Sequence, residues 1–356
     1  MAFFRYLNFG FPKILNIKNA ININEIRVLT VTEHILTQER SFRKGYGRTL
    51  RAMKFRRKLA GPDRLRKRSE WDNWNYKAEL YAFNQRLHEN ITEETLRCAF
   101  IHESYIKSEE ERRKELDIPT QDVTLDLRPN TSLIADGRDI TSDFLKRYLR
   151  HCFPLLPEEG VLALHNHLLS DEVLAHVSFN IGTKDLVLCS EYPPENHTLA
   201  SSLLAIVGSI AKDDSKSKAE KFVLDLICTQ LVGKDVFDLW DLKDPCAVLN
   251  SILVKHGMSE YEPRLIFESG RNTIMAIYNV GIYSDKKFLG RAPGETLNIA
   301  EELAVFDCLR KIFQIRESEK PISPKKLSMD VIMNEKIENP SVENWYSESL
   351  KLSKCF

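Results

Sequence analysis

From about Tyr76 to Trp240 apolar positions recur at helical spacing, and the stretch is punctuated by Pro119, Pro129, Pro154 with Pro157, and Pro193 with Pro194. Such a pattern predicts helix after helix, each turning one stripe toward a core. Leu199, Leu203, Ile206, Val207 and Ile210 form the clearest stripe. At Asp244 the pattern changes. A helix through Pro245 to Leu249 is followed by strand-like runs near Arg264 to Glu268, Thr273 to Tyr283 and Lys287 to Arg291, and then by a final helix. In that helix Ile299, Leu303, Phe306, Leu309 and Phe313 advance by four, three, three and four, which predicts one buried face. The expected architecture is an α-helical domain followed by an α+β module of order α-β-β-β-α. The stretch from Arg316 to Phe356, with Pro321, Pro324 and Pro340, reads as an irregular extension in which Trp345 and Tyr346 are candidates for docking.

Composition fits an ordinary globular protein, with 43% hydrophobic and 29% charged residues in 356. The zero net charge hides an asymmetry. Residues 1 to 70 carry 17 Lys and Arg against 5 Asp and Glu, and the remainder carries 34 against 46. Between Arg40 and Arg68 thirteen basic residues stand against one acid, with Phe42, Tyr46 and Phe55 interleaved. One-sided charge of this density predicts phosphate binding, through Arg43, Lys44, Arg48, Arg51, Lys54, Arg56, Arg57, Lys58, Arg64, Arg66, Lys67 and Arg68. The first thirty residues hold Arg5, Lys13, Lys18 and Arg27 against Glu25 alone, and an organellar transit peptide is expected there, although serine is absent. No apolar run has the length of a membrane span. The seven cysteines are scattered singly and read as reduced thiols. His165, His167 and His176 have no cysteine at ligand spacing and read as structural, so no metal and no cofactor is expected.

Three segments carry candidate chemistry. The first ends Ala99-Phe100-Ile101-His102-Glu103-Ser104-Tyr105, the second runs Asn130-Thr131-Ser132-Leu133-Ile134-Ala135-Asp136-Gly137-Arg138, and the third spans Ala200 to Gly208. In this order they resemble ribonuclease III, whose corresponding patterns are Ala-Leu-Thr-His-x-Ser-Tyr, Asn-Glu-x-Leu-Glu-Phe-Leu-Gly-Asp and Ala-Asp-x-Phe-Glu-Ala-Leu-Ile-Gly. The family's acidic positions fall on Thr131, Ile134, Arg138, Ser201 and Leu204. Its cleavage chemistry uses carboxylates to hold Mg²⁺, which generates the nucleophile and steadies the leaving oxygen. A guanidinium at a ligand position repels the ion. Asp136 and Asp139 lie on another face of the same helix and read as solvated charges. The resemblance therefore implies the ribonuclease III fold with no catalytic residues, and a surface on which two such domains pair, with a copy or with a relative.

Downstream, the α-β-β-β-α order resembles a double-stranded RNA-binding domain. That module grips RNA with lysines in a Ser-Lys-Lys-x-Ala-Glu helix start and with a Gly-Pro-x-His loop. Here the helix opens Thr296-Leu297-Asn298-Ile299-Ala300-Glu301 and the loop reads Gly270-Arg271-Asn272-Thr273-Ile274, so ordinary duplex readout is not expected. Lys286, Lys287, Arg291, Arg310 and Lys311 are the remaining candidate phosphate contacts.

Together with Trp74 to Leu80, Tyr105 to Glu110, Thr229-Gln230, Gly233-Lys234 and Pro293 to Thr296, these features resemble the ribonuclease III-like proteins of the mitochondrial large ribosomal subunit, over about residues 70 to 315. The resemblance implies a degenerate ribonuclease III-like domain over 74–242 and a duplex-RNA-binding-like domain over 243–315, and composition adds an expected transit peptide over 1–30, a basic arm over 31–73 and an extension over 316–356. It implies a non-enzymatic constituent of the matrix ribosome, partnered by large-subunit rRNA and neighbouring ribosomal proteins. Two other functions stay open on the residues: a Mg²⁺-dependent duplex-RNA endonuclease, and a non-cutting RNA-processing cofactor.

Overall fold

Helix starts follow side-chain capping. Asn75, Thr92, Ser170, Ser215 and Thr296 each accept a hydrogen bond from the backbone N–H three residues on, which satisfies a donor the helix itself cannot pair. The computed structural model describes residues 47–61, 67–116, 127–271, 273–315 and 338–345. Helix α1, over 47–60, belongs to a unit of its own spanning Met1–Arg66, and its side chains are almost all exposed. The expected transit segment lies outside the described residues.

The helical domain contains α2 (Tyr76–Leu87), α3 (Glu93–Ala99), α4 (Glu103–Glu115), α5 (Thr131–Cys152), α6 (Glu158–Leu168), α7 (Asp171–Ile181), α8 (Asn196–Asp213), α9 (Lys216–Leu226) and the short α10 (Val236–Leu239). Helix α8 is the centre of the domain, buried on every side from Thr198 to Ile210. Its serines fit because each hydroxyl donates to a carbonyl of the same helix, Ser201 to Thr198 at 3.0 Å, Ser202 to Leu199 at 2.7 Å and Ser209 to Ala205 at 2.7 Å.

Helix α5 crosses α8 at backbone contact. A Cβ on Gly137 would stand 2.0 Å from the Leu204 carbonyl oxygen, and one on Gly208 would stand 2.2 Å from the Leu133 carbonyl oxygen. Each glycine thus receives the carbonyl one turn before the other, and any side chain would force the helices apart.

The second domain holds α11 (Pro245–Lys255), β1 (Glu262–Ser269), β2 (Ile277–Ser284), β3 (Lys287–Gly294) and α12 (Leu297–Ile312), with an antiparallel sheet of order β1-β2-β3. The β2–β3 turn takes the left-handed conformation at Asp285 and Lys286, as a tight hairpin requires. Strand β2 begins later than the sequence pattern predicts, because Gly270 turns at φ +67° and its carbonyl accepts from Thr273 N at 2.9 Å.

The expected buried face of the last helix is also corrected. Ile299 and Leu303 are 44% and 39% exposed, while Ala300, Ala304, Val305, Cys308, Leu309 and Ile312 are buried. The reason is proximity to β3. A Cβ on Gly294 would lie 2.5 Å from Ala300 N, and one on Gly290 would lie 2.7 Å from Cys308 Sγ. So close an approach selects alanine and cysteine where α12 meets Gly294 and Gly290 and turns Ile299 and Leu303 outward, while Leu309 and Phe313 are buried as expected.

The two domains share a packed junction. Phe306 meets Phe237 at 5.0 Å between ring centres, and Arg310 Nε donates to Asp235 at 3.0 Å. Residues 338–345 are irregular, as expected, yet they seal this junction. Asn339 Nδ2 donates to the carbonyls of Phe153 and Leu156 at 2.9 and 2.8 Å. Trp345, 1% exposed, packs edge-on against Phe313 and donates from Nε1 to the Leu155 carbonyl at 2.8 Å. Tyr346 lies outside the described residues.

Candidate functional site

The three motif segments meet around the N-terminal turns of α5 and α8. The first is tied to its neighbours by backbone pairing, with Leu188 N donating to Phe100 O at 2.9 Å and His102 N to Leu188 O at 3.1 Å. Asn130, 2% exposed, binds the same segment through its amide: Nδ2 donates to Ala99 O at 3.1 Å, while its backbone N–H reaches Ile101 O at 3.2 Å. Its place in the motif is thereby accounted for structurally.

This arrangement encloses a cavity of about 420 Å³ into which Thr131, Ile134, Arg138, Ser201 and Leu204 all project their residues as lining, together with His102, Glu103, Asp171 and His197. All five positions singled out in the sequence are therefore brought together. Leu204 is 1% exposed and Ile134 packs against the hydrophobic core, so the floor is apolar. Ser201 is satisfied within its own helix. Arg138 is exposed and makes no ion pair among the described residues. Asp136 and Asp139 are exposed and do not line the cavity.

Glu103, Asp171 and His197 were not anticipated as lining residues. Glu103 is engaged by Lys107 at 2.7 Å, and that ammonium holds its carboxyl below the usual carboxylate range. His102 Nδ1 accepts from Ser104 N, and burial, with the neighbouring His197, pushes its pKa down, which favours the neutral imidazole protonated at Nε2. Among the described residues no three or more His, Cys, Asp or Glu side chains are grouped as metal ligands. His165, His167 and His176 each bond elsewhere, to Ser142, Lys234 and Asn180, all at 3.0 Å.

The predicted RNA contacts are dispersed. Arg48, Arg51, Lys54, Arg56, Arg57 and Lys58 are exposed on α1, and Arg43, Lys44, Arg64 and Arg66 lie outside the described residues. Lys67 donates to Cys189 O at 3.4 Å, and Arg68 pairs with Glu79 and lies over the Trp74 ring. Lys286, Lys287 and Arg291 are exposed on the β2–β3 hairpin. Arg310 and Lys311 differ, since both are half-buried in intramolecular contacts, Arg310 with Asp235 and Lys311 with the Leu289 carbonyl and Asp307. At the two elements through which the module resembled by this domain grips RNA, large apolar side chains are exposed, Ile274 and Met275 in the β1–β2 turn and Leu297 and Ile299 at the start of α12, beside the exposed Arg271 and Asn298. Among the described residues no helix is long and apolar enough to cross a membrane.

Comparison with known proteins agrees with this two-part organisation. The family model described as large ribosomal subunit protein mL44, endonuclease domain, matches residues 75–210, and that of the MRPL44 dsRNA-binding domain matches residues 240–346. The second match extends past the boundary expected at 315 and takes in the segment that seals the junction. Large ribosomal subunit protein mL44 of Caenorhabditis elegans is 35% identical over 269 residues, covering 75% of this chain and 67% of the relative. Its namesake in Neurospora crassa is 26% identical over 123 residues, covering 35% of this chain and 28% of the relative. Among solved structures, the nuclease domain of ribonuclease III from Campylobacter jejuni is 21% identical with a TM-score of 0.35, covering 44% of this chain and 97% of that domain. The chain belongs to the family of large ribosomal subunit protein mL44.

Proposed function

We propose that the protein is a structural constituent of the mitochondrial large ribosomal subunit, using a ribonuclease III fold to hold rRNA and neighbouring ribosomal proteins, and that it does not cleave RNA. Kinship with mL44 supports the ribosomal role. The observation that carries the non-catalytic part is the convergence of Thr131, Ile134, Arg138, Ser201 and Leu204 on one cavity. Three of these are neutral and apolar or hydroxylic, one is an arginine and Leu204 is sealed in the core. An ionised carboxylate at position 204 without a metal beside it would be strongly disfavoured at such burial, and leucine removes that cost.

The exposed cations of α1 and of the β2–β3 hairpin are the RNA contacts in this reading, many weak phosphate interactions that position the protein without reading sequence. A second ribonuclease III-like subunit, a copy or a relative, pairs on the exposed face of α5 in this reading.

Sedimentation of mitochondrial lysate in Mg²⁺ and then in EDTA tests the assignment. The protein is expected to migrate with the large subunit and to shift only as that particle does. Recovery in light fractions, or Mg²⁺-dependent cleavage of duplex RNA by the purified chain, overturns it.

A further inference from the structure

We propose that a hollow on the other side of the α5 N-terminus is a binding site for the phosphodiester backbone of rRNA, distinct from the basic arm and from the α5–α8 cavity; the RNA identity rests on the ribosomal reading above. The hollow measures about 410 Å³ and brings together Arg97 at the end of α3, Arg128 ahead of α5 and Lys212 at the end of α8. Glu94 is the only carboxylate in its lining. All three cations are exposed and none is ion-paired among the described residues. Three positive charges gathered in one concavity repel one another, and an anion seated between them reverses the sign of that interaction.

Local backbone chemistry adds to the attraction. The Asn130 side chain makes no capping bond to α5, and the first turn of this 22-residue helix contains no acid. Its N–H groups and positive dipole end are thus left for an outside acceptor, and Ser132 of that turn lines the hollow. Phosphate oxygens accept from guanidinium, ammonium, hydroxyl and amide donors alike, so the donor set fits one or two adjacent phosphates. Residues 97, 128 and 212 are far apart in the chain, and no run of sequence discloses the cluster.

Binding of the full-length chain to a 20-base-pair RNA duplex over a range of KCl tests the site. Replacing Arg97→Gln, Arg128→Gln and Lys212→Gln together is expected to weaken binding about tenfold or more and to flatten the slope of log affinity against log salt by about 2 to 3. The positions are exposed, so the variant is expected to melt with the wild type, which circular dichroism checks. An unchanged slope overturns the site. So does a stabilising shift by inorganic phosphate that the triple variant abolishes while the duplex slope stays constant, which assigns the hollow to a free anion. In purified large subunits, Ser132→p-benzoylphenylalanine is expected to crosslink to rRNA on irradiation, and crosslinks to protein alone count against the proposal. Protein that cosediments with the subunit but keeps its salt slope sinks only this site, whereas absence from the subunit removes the ribosomal reading and the RNA identity with it.

Discussion

At the α5–α8 cavity the residues that differ from the ribonuclease III pattern line a hollow whose floor is core, whereas at the start of α12 the residues that differ from the duplex-binding pattern face solvent. Leu204 is 1% exposed, while Leu297, at one of the lysine positions, is 48% exposed. The two replacements have different physical weight. A buried leucine in place of an acid removes the cost of an unpaired charge and adds apolar burial. An exposed leucine in place of a lysine gains little for the fold and removes one phosphate contact. From Ala292 to Leu309 the chain carries Glu295, Glu301, Glu302 and Asp307 and no Lys or Arg, so this segment offers a phosphate no cation.

Several substitutions set the two regions against each other. The largest effect is expected at the helix crossing, where Gly137→Val forces a side chain into the Leu204 carbonyl; loss of soluble folded protein, or destabilisation by more than about 4 kcal/mol in thermal unfolding, is the expected outcome. Trp345→Ala empties a fully buried site at the junction and is expected to cost about 3 to 5 kcal/mol, with faster proteolysis between the domains. Restoring the family's acids, as Thr131→Glu, Ile134→Glu, Arg138→Asp, Ser201→Asp and Leu204→Glu together, is expected to lower the melting temperature without Mg²⁺ and to recover part of it with Mg²⁺. No recovery with Mg²⁺ would show that the cavity has lost the geometry of a metal site as well as its ligands.

Acidification acts mainly on the helical domain. Burial lowers the pKa of His102, His165 and His167, and also of His256 in the second domain. A histidine with a lowered folded pKa binds fewer protons folded than unfolded once the pH falls near 6.5, so acid favours the unfolded chain. The melting temperature is therefore expected to hold above about pH 7 and to fall as the pH drops through 6.5, with a shallower fall in His165→Gln. Ile299→Lys should have the smallest effect on the fold, within about 0.5 kcal/mol, because its side chain is already 44% exposed. It is expected instead to strengthen binding to duplex RNA, read by filter binding.

What the sequence disclosed followed from the range of each signal. The Ala99–Tyr105, Asn130–Arg138 and Ala200–Gly208 segments are local, and they mark five positions that the fold brings to one cavity. Helix α8 was legible from the helical spacing of Leu199, Leu203, Ile206, Val207 and Ile210, although not that it is buried on all sides. The expected buried face of α12 holds at Leu309 and Phe313 and fails at Ile299 and Leu303, because contact with Gly290 and Gly294 places alanine and cysteine on the inner side. Glu103 and Asp171 were invisible as lining residues, since only the tertiary fold carries α4 and α7 to the same hollow. Arg97, Arg128 and Lys212 went unnoticed for the same reason.

Trp345 bears on how the molecule comes into being. The residues it seals, Leu155 in the first domain and Phe313 in the second, are both synthesised before it, so most of the packing can form while the joint between the domains is still open. Residues 338–345 then complete the joint as a later step. A reading frame truncated just ahead of Trp345 would keep the Phe237–Phe306 and Arg310–Asp235 contacts but leave Phe313 and the Leu155 carbonyl uncovered, a product that a quality-control protease could recognise while spectroscopy still reported folded protein.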